Sequence, residues 1–309
     1  MQILYAATDY IAIPLMEALF KQGLIRAVFT APDKRGKRGS ELIASPVKKR
    51  ALQLGLDVFT PETLKKDARA IVRRLGVDTL LSFCYGKIFG PMFLSLFDYT
   101  FNVHPSMLPK YRGCAPIYAT ILNQDSESGI TLQRIALGVD EGDIYKTLPF
   151  TLDGTETDES LSQRVSMLVP ELVLPVLKNV KDIDPRAQEG EPSYQMFIEK
   201  SDGKLDFSHS AKSLHAQIRA CYPWPKAFAY LNGEKLIITA VYGSVFDSFE
   251  PTDGEAPGTV VSFVKSKGLK IATGDGYLYV TKVLPPMKKE MDALSYVNGN
   301  KAIIKSILE

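Results

Sequence analysis

Three cysteines in 309 residues, Cys84, Cys114 and Cys221, are too few and too far apart for a disulfide framework or a zinc site, and they fit a reducing cytoplasm. Three histidines, His104, His209 and His215, cannot build a multi-histidine metal centre at the usual spacings, so no metal is expected. Long apolar runs are also missing. Nothing approaches the roughly 18 consecutive apolar residues of a transmembrane helix, and no membrane association is expected. The opening MQILYAATDY carries no lysine or arginine ahead of its apolar stretch, unlike a secretory signal. A net charge of +2 excludes the global basic field of a sequence-independent DNA binder. Glycine is absent from the first strand-to-helix turn, Ala6-Ala7-Thr8-Asp9-Tyr10. Close backbone approach to a pyrophosphate, as in G-x-G-x-x-G, is therefore unavailable, and a nicotinamide enzyme is not expected.

What is present is an ordinary globular composition, 45% hydrophobic and 23% charged, in a chain long enough for two domains. Residues 3–6, 24–30, 57–59 and 78–83 read as strands. Helices are expected over 14–21, 47–54 and 64–75, the second capped by Ser45 with Pro46 at its first position. Strands alternating with helices predict βαβ units and a mostly parallel sheet covered on both faces. A helix over 158–181 would close this domain, with Pro170 and Pro175 expected to kink or split it. Residues 183–203 are charged, hold Pro185, Gly190 and Pro192, and read as a linker. From 204 the pattern changes to one short amphipathic helix, 210–220, followed by strands over 227–231, 236–245, 258–264, 269–272 and 277–284. Asn232-Gly233 marks a hairpin turn, and the spacing suggests a small barrel over 204–309.

The most informative stretch is Phe101-Asn102-Val103-His104-Pro105-Ser106-Met107-Leu108-Pro109, running on to Tyr111-Arg112-Gly113. On a strand, Asn102 and His104 project from one face, and Pro105 ends the ladder. An amide and an imidazole at a strand end can donate to a developing oxyanion, or simply be solvated polar groups. Ligands in open parallel sheets bind at the carboxyl ends of strands, which is where His104 lies. Gly138-Val139-Asp140-Glu141-Gly142-Asp143 admits three readings: a hairpin turn, a metal loop, or a carboxylate that pairs with His104. The loop 31–39 holds Lys34, Arg35, Lys37 and Arg38 with two glycines among them, and is either a solvated loop or one that closes on a polyanion. Lys288 and Lys289, beside Pro285-Pro286, belong to a possible local basic edge whose alternative is ordinary edge-strand protection.

Together these residues resemble the methionyl-tRNA formyltransferase family over nearly the whole chain. The resemblance rests on 102–109, on Arg112-Gly113-Cys114-Ala115-Pro116-Ile117, and on 138–143. Pro32-Asp33, Ser45-Pro46-Val47-Lys48 and Tyr85-Gly86 add to it. Folate-dependent formyltransferases in general and formyltetrahydrofolate hydrolases share the Asn-x-His…Asp set. The choice is narrowed by Tyr222-Pro223-Trp224-Pro225, Ala256-Pro257-Gly258-Thr259, 272–276 and 286–291, which look like that family's tRNA-contacting barrel. Met107 stands where leucine is usual, a volume-conserving exchange, and the chain after Asn300 is unlike the usual ending.

The resemblance implies an α/β fold with an N-terminal Rossmann-like, mostly parallel sheet (1–182) and a C-terminal OB-like β-barrel (204–309). It implies transfer of the formyl group of 10-formyltetrahydrofolate to the α-amine of methionyl-initiator tRNA, by direct attack and without a covalent enzyme intermediate. Asn102 and protonated His104 would hold the oxyanion, while Asp140 would orient His104 and help remove the ammonium proton. Ser106, Met107, Leu108, Pro109, Tyr85, Gly86, Ile88, Val139 and Glu141 would line the folate site. Lys34, Arg35, Lys37, Arg38, Lys288 and Lys289 would meet tRNA. A cytoplasmic monomer is expected. The alternatives are a 10-formyltetrahydrofolate hydrolase or amino-sugar formyltransferase on the same scaffold, or a non-catalytic tRNA-binding protein.

Overall fold

A computed structural model describes residues 1–36 and 41–309; Lys37 and Arg38 lie outside the described residues. β1 (Ile3–Ala7) is buried along its whole length, and its alternate side chains serve opposite faces. Leu4 and Ala6 join a cluster with Phe29, Ala68, Val72 and Phe93. Tyr5, between them, donates its hydroxyl to the Ala12 carbonyl at 2.7 Å. Both faces are therefore covered, as the all-apolar pattern predicts.

After β1 come α1 (Ile13–Lys21), β2 (Ile25–Phe29), the short hairpin of β3 (Lys34–Arg35) and β4 (Leu42–Ile43), and α2 (Pro46–Gln53). Ser45 caps α2 by accepting the Lys48 amide at 3.0 Å. β5 (Val58–Phe59), α3 (Lys66–Leu75), β6 (Thr79–Phe83), α4 (Pro91–Leu94) and β7 (Tyr99–His104) follow. The chain continues through β8 (Arg112–Gly113), α5 (Pro116–Leu122), β9 (Glu127–Arg134), β10 (Ile144–Thr151), α6 (Asp158–Lys178) and β11 (Tyr194–Gln195). The large sheet has the order β10-β9-β7-β6-β1-β2-β5.

β1 pairs in parallel with β2 on one side and with β6 on the other. The chain runs outward from β1 through β2 to β5, then returns to β6 and runs outward again through β7, which is also parallel. The reversal places the crevice at the carboxyl ends of β1 and β6. There the Thr8 amide donates to the Cys84 carbonyl and its hydroxyl to the Tyr85 carbonyl, both at 3.1 Å. β9 is antiparallel to β7, and the register sets Asn102 opposite Gln133 and His104 opposite Thr131.

The expected split does not occur: α6 is a single helix with Pro170 and Pro175 inside it. A proline in a helix interior costs about 3 kcal/mol. Val165, Val169, Leu172, Val173, Val176 and Leu177 are all buried along this helix. At roughly 1.5–3 kcal/mol per fully buried side chain, their burial outweighs both prolines.

The chain divides into two compact units. One comprises residues 1–116, 129–150 and 162–195, and the other 117–128, 151–161 and 196–309. The segment expected as a linker is divided between them. Its first part is structured within the first unit, where the Arg186 amide reaches the Ile144 carbonyl at 2.9 Å and β11 pairs with β8.

The second unit holds α7 (Ala211–Ala220), β12 (Ala227–Leu231), β13 (Glu234–Val241), β14 (Val260–Val264), β15 (Gly268–Ala272), β16 (Tyr277–Leu284), β17 (Met291–Asp292) and α8 (Ala293–Gly299). Asn232 and Gly233 have φ of 51° and 80°, the two positive values a two-residue type I′ hairpin requires. In α7, Arg219 Nε donates to His215 Nδ1 at 3.1 Å, so the ring proton sits on Nε2, facing the carbonyls of Tyr242 and Gly243. Burial, together with the neighbouring guanidinium, pulls His215 down to about 4.

The strand order β12-β13-β16-β15-β14 leaves two edges, and the chain end covers both. Residues 305–309 exchange hydrogen bonds with Tyr230 on one edge and with Gly258 and Val260 beside the other, five main-chain bonds in all, and Leu308 is buried. Closure of this kind satisfies edge groups that would otherwise recruit other strands. Deleting residues 305–309 is expected to cost about 3–6 kcal/mol of stability in denaturant unfolding. A loss below about 1 kcal/mol would show that the segment only decorates the sheet.

Candidate active site

The last residues of β7 deliver two polar side chains to the carboxyl end of the sheet, and a loop after β9 delivers a third. Asp140 stands with φ of +54°, a left-handed conformation that aspartate tolerates better than most residues. Its carboxylate is only 11% exposed, and the His104 side chain only 5%. Burying a charge to that degree requires partners, and Asp140 has four. Oδ1 accepts from Asn102 Nδ2 at 3.2 Å and from Gln133 Nε2 at 2.8 Å. Oδ2 accepts from the Gly113 amide at 2.9 Å and lies 3.5 Å from His104 Nδ1. Of the three readings of 138–143, the structure realises two: the loop joins the neighbouring strands β9 and β10, and it sets a carboxylate beside the imidazole.

His104 Nε2 lies 2.9 Å from the Tyr111 carbonyl. Both ring nitrogens thus face oxygen atoms. Tyr111 also has a left-handed φ, +57°. Two such non-glycine residues around one histidine concentrate about 1–3 kcal/mol of backbone strain each, a feature common at functional sites. Asn102 Nδ2 carries a second hydrogen besides the one directed at Asp140. The arrangement can therefore present an amide donor and an imidazole beside a carboxylate, groups that transfer to an amine can use.

The other sequence-predicted residues are placed differently from one another. Ser106 is buried and its hydroxyl donates to the Lys110 carbonyl at 2.6 Å, while its carbonyl accepts the Thr131 hydroxyl at 2.7 Å. The Leu108 amide is likewise directed at Thr131 Oγ1, at 3.3 Å. Ser106 and Leu108 thus build the loop, and Met107 and Pro109 are its half-buried members. Tyr85 is buried in the cluster behind β6, stacked on Phe89. Gly86 is exposed and open, with nothing near the place a Cβ would occupy. Ile88 and Val139 are exposed apolar side chains, and Glu141 is held by Arg112 at 3.4 Å. Asp140 is close enough to the 84–90 loop that its charge adds to the desolvation raising the Cys84 thiol. Two loops with exposed apolar side chains and open backbone beside this cluster suit a flat heteroaromatic ligand.

Lys34 and Arg35 are exposed on β3, and Lys288 and Lys289 are exposed on the turn after β16. Among the described residues no group of three or more His, Cys, Asp or Glu side chains is placed to hold a metal ion. Sequence reasoning missed Gln133 and Gln188. Gln133 could have been found from its position two residues after Thr131 on an adjacent strand. Gln188 left no local signal.

Comparison with known proteins gives the family and the fold. The family described as formyl transferase matches residues 6–177, and its C-terminal domain matches residues 197–301. Methionyl-tRNA formyltransferase of Borrelia recurrentis is 35% identical over 310 aligned residues, covering 99% of both chains. Among solved structures, methionyl-tRNA formyltransferase from Clostridium thermocellum is 17% identical with a TM-score of 0.58, covering 80% of this chain and 95% of that one. HypX from Aquifex aeolicus, in complex with tetrahydrofolic acid, is 16% identical with a TM-score of 0.62. This chain aligns over 96% of its length there but spans only 47% of HypX. Both structures share the fold. With two matching family domains and a full-length relative at this identity, the chain belongs to the methionyl-tRNA formyltransferases of the formyl transferase family.

Proposed function

We propose that this protein transfers the formyl group of 10-formyltetrahydrofolate to the α-amine of methionine esterified to initiator tRNA, giving N-formylmethionyl-tRNA. The observation that carries the reading is the convergence of Asn102 and His104 on Asp140, at 3.2 and 3.5 Å, in a chain with a full-length relative of that name.

The amine attacks the formyl carbon directly. A C–N bond forms to the α-nitrogen, the carbonyl oxygen gathers negative charge, and the bond to folate N10 then breaks as N10 takes up a proton. Asn102 offers its second amide hydrogen to the oxyanion, and His104 supplies positive charge beside it. Asp140 removes the ammonium proton, directly or through water. Met107 and Pro109 present apolar edges to the folate, with Ser106 and Leu108 shaping their loop. Gly86, Ile88, Val139 and Glu141 complete the pterin end, with Tyr85 supporting their loop from the buried cluster. The same reading places the reaction in the cytoplasm and on a monomer.

The test is incubation with 10-formyltetrahydrofolate and methionyl-initiator tRNA, with deacylated tRNA and buffer as controls. Formylmethionyl-tRNA is the expected product, and formyl release without tRNA would instead mark a hydrolase. Lys34, Arg35, Lys37 and Arg38 are assigned to the acceptor stem, and Lys288 and Lys289 to another part of the tRNA backbone. Replacing the four loop residues by glutamine is expected to raise KM for tRNA about ten-fold and to flatten its salt dependence. An unchanged KM at moderate salt would remove the loop from the interface.

A further inference from the structure

Asp140 is tied to more of the molecule than the catalytic pair requires. Arg112, on β8, can only donate hydrogen bonds. Its Nε and Nη2 reach Gln188 Oε1 at 3.2 and 2.8 Å. That contact fixes which end of the Gln188 amide faces the arginine, so Nε2 must point the other way. Gln188 Nε2 lies 2.7 Å from the Asp140 carbonyl, 2.9 Å from the Gly142 carbonyl and 3.4 Å from Gln133 Oε1. Gln133, 1% exposed, is oriented in its turn with oxygen towards Gln188 and nitrogen towards Asp140 Oδ1 at 2.8 Å. An amide that could flip freely would face Asp140 with either atom, but here a group without acceptors sets the direction of the whole series.

We infer that Arg112, Gln188 and Gln133 form a one-way donor relay that positions Asp140, holding its backbone through Gln188 and its carboxylate through Gln133, for proton removal from the substrate amine. The inference rests on the formyl-transfer reading above. None of the three need touch substrate, so each is a positioning residue. The relay also accounts for the ordered first part of the 183–195 segment, which reaches the site across 48 residues of sequence from Asp140 (188 − 140). The charged and titratable groups around Asp140 are His104 from β7, Arg112 from β8, and Arg134 at the end of β9, which pairs with Asp143 at 3.4 Å. Glu141 on its own loop is drawn to Arg112 at 3.4 Å, and the thiols of Cys84 and Cys114 both feel Asp140.

The experiment compares wild type with Gln188→Glu and Gln133→Leu. Glutamate at 188 keeps the shape and still pairs with Arg112, but turns an acceptor towards the Asp140 and Gly142 carbonyls. Leucine at 133 leaves the carboxylate one donor short without unsatisfying a partner on β7. Each variant is expected to lower kcat about 10–100-fold, with KM for both substrates within about two-fold of wild type. In Gln133→Leu, where the carboxylate itself loses a donor, the acid limb of the kcat–pH profile should move upward relative to wild type. Values of kcat within about two-fold of wild type in both variants, with an unmoved acid limb, would overturn the relay. So would a joint change of kcat and KM without a pH shift, which is the mark of a loosened fold. A wild-type protein that formylates no tRNA would instead overturn the functional reading, and the relay's purpose with it.

Discussion

Asn102→Ala is expected to lower the rate of formyl transfer about 10²–10³-fold, the usual cost of losing one oxyanion donor. Asn102 sits within β7, whose backbone is paired with β6 on one side and β9 on the other, so truncating the side chain leaves the ladder intact. Asp140→Ala should cost at least as much, since it removes the proposed proton acceptor and the carboxylate beside His104 together. Asp140→Asn is the sharper variant. The carboxylate accepts on both oxygens, from Asn102 and Gln133 on one and from Gly113 on the other. An amide must turn its NH₂ towards a donor at one of these places, so the apparently conservative change disturbs the cluster as well as discharging it. Single-turnover formylation with circular dichroism as a folding control decides the matter. Near-normal rates in a folded Asn102→Ala or Asp140→Ala protein would refute the assignment.

The second large effect is expected at Gly142. A Cβ there would overlap the main-chain carbonyl of Arg134, on β9. No side-chain rotation relieves that clash, because both partners are backbone. The loop carrying Asp140 would have to lift, and a displacement of about 1 Å at a catalytic group can cost roughly 10²-fold in rate. Gly138, in the same motif, provides the control. The three atoms nearest its Cβ all belong to the Glu141 side chain, which is half-exposed and can swing away. Gly142→Ala should therefore lose about 10²-fold or more in kcat, with about 1–3 kcal/mol of stability, whereas Gly138→Ala should stay within about three-fold. Steady-state kinetics and thermal melts on the two variants test this, and equal effects would show that loop position is not what Gly142 protects.

Much of the molecule was legible in the chain itself. Strand and helix alternation through 1–83, the cap at Ser45, the hairpin at Asn232-Gly233 and the amphipathic helix before Cys221 all depend on neighbours a few residues apart. For such elements, local conformational preference and burial agree. The pairing of Asn102 with His104 was also readable, because a strand puts alternate residues on one face.

Other features depended on groups distant in sequence. Pro170 and Pro175 disfavour a continuous helix locally, and only the buried valine and leucine face of α6 reverses that balance. The 138–143 motif allowed three chemistries until the β7–β9 register set Asn102 opposite Gln133 and brought Asp140 over both. Gln188, through its side-chain amide, and the closing segment 305–309, through its main chain, make bonds that no local pattern marks. Sequence by itself determined the elements and the pair Asn102 and His104. Tertiary structure alone decided what holds Asp140 and what closes the barrel, because hydrogen-bond partners far apart in the chain are chosen by topology and not by propensity.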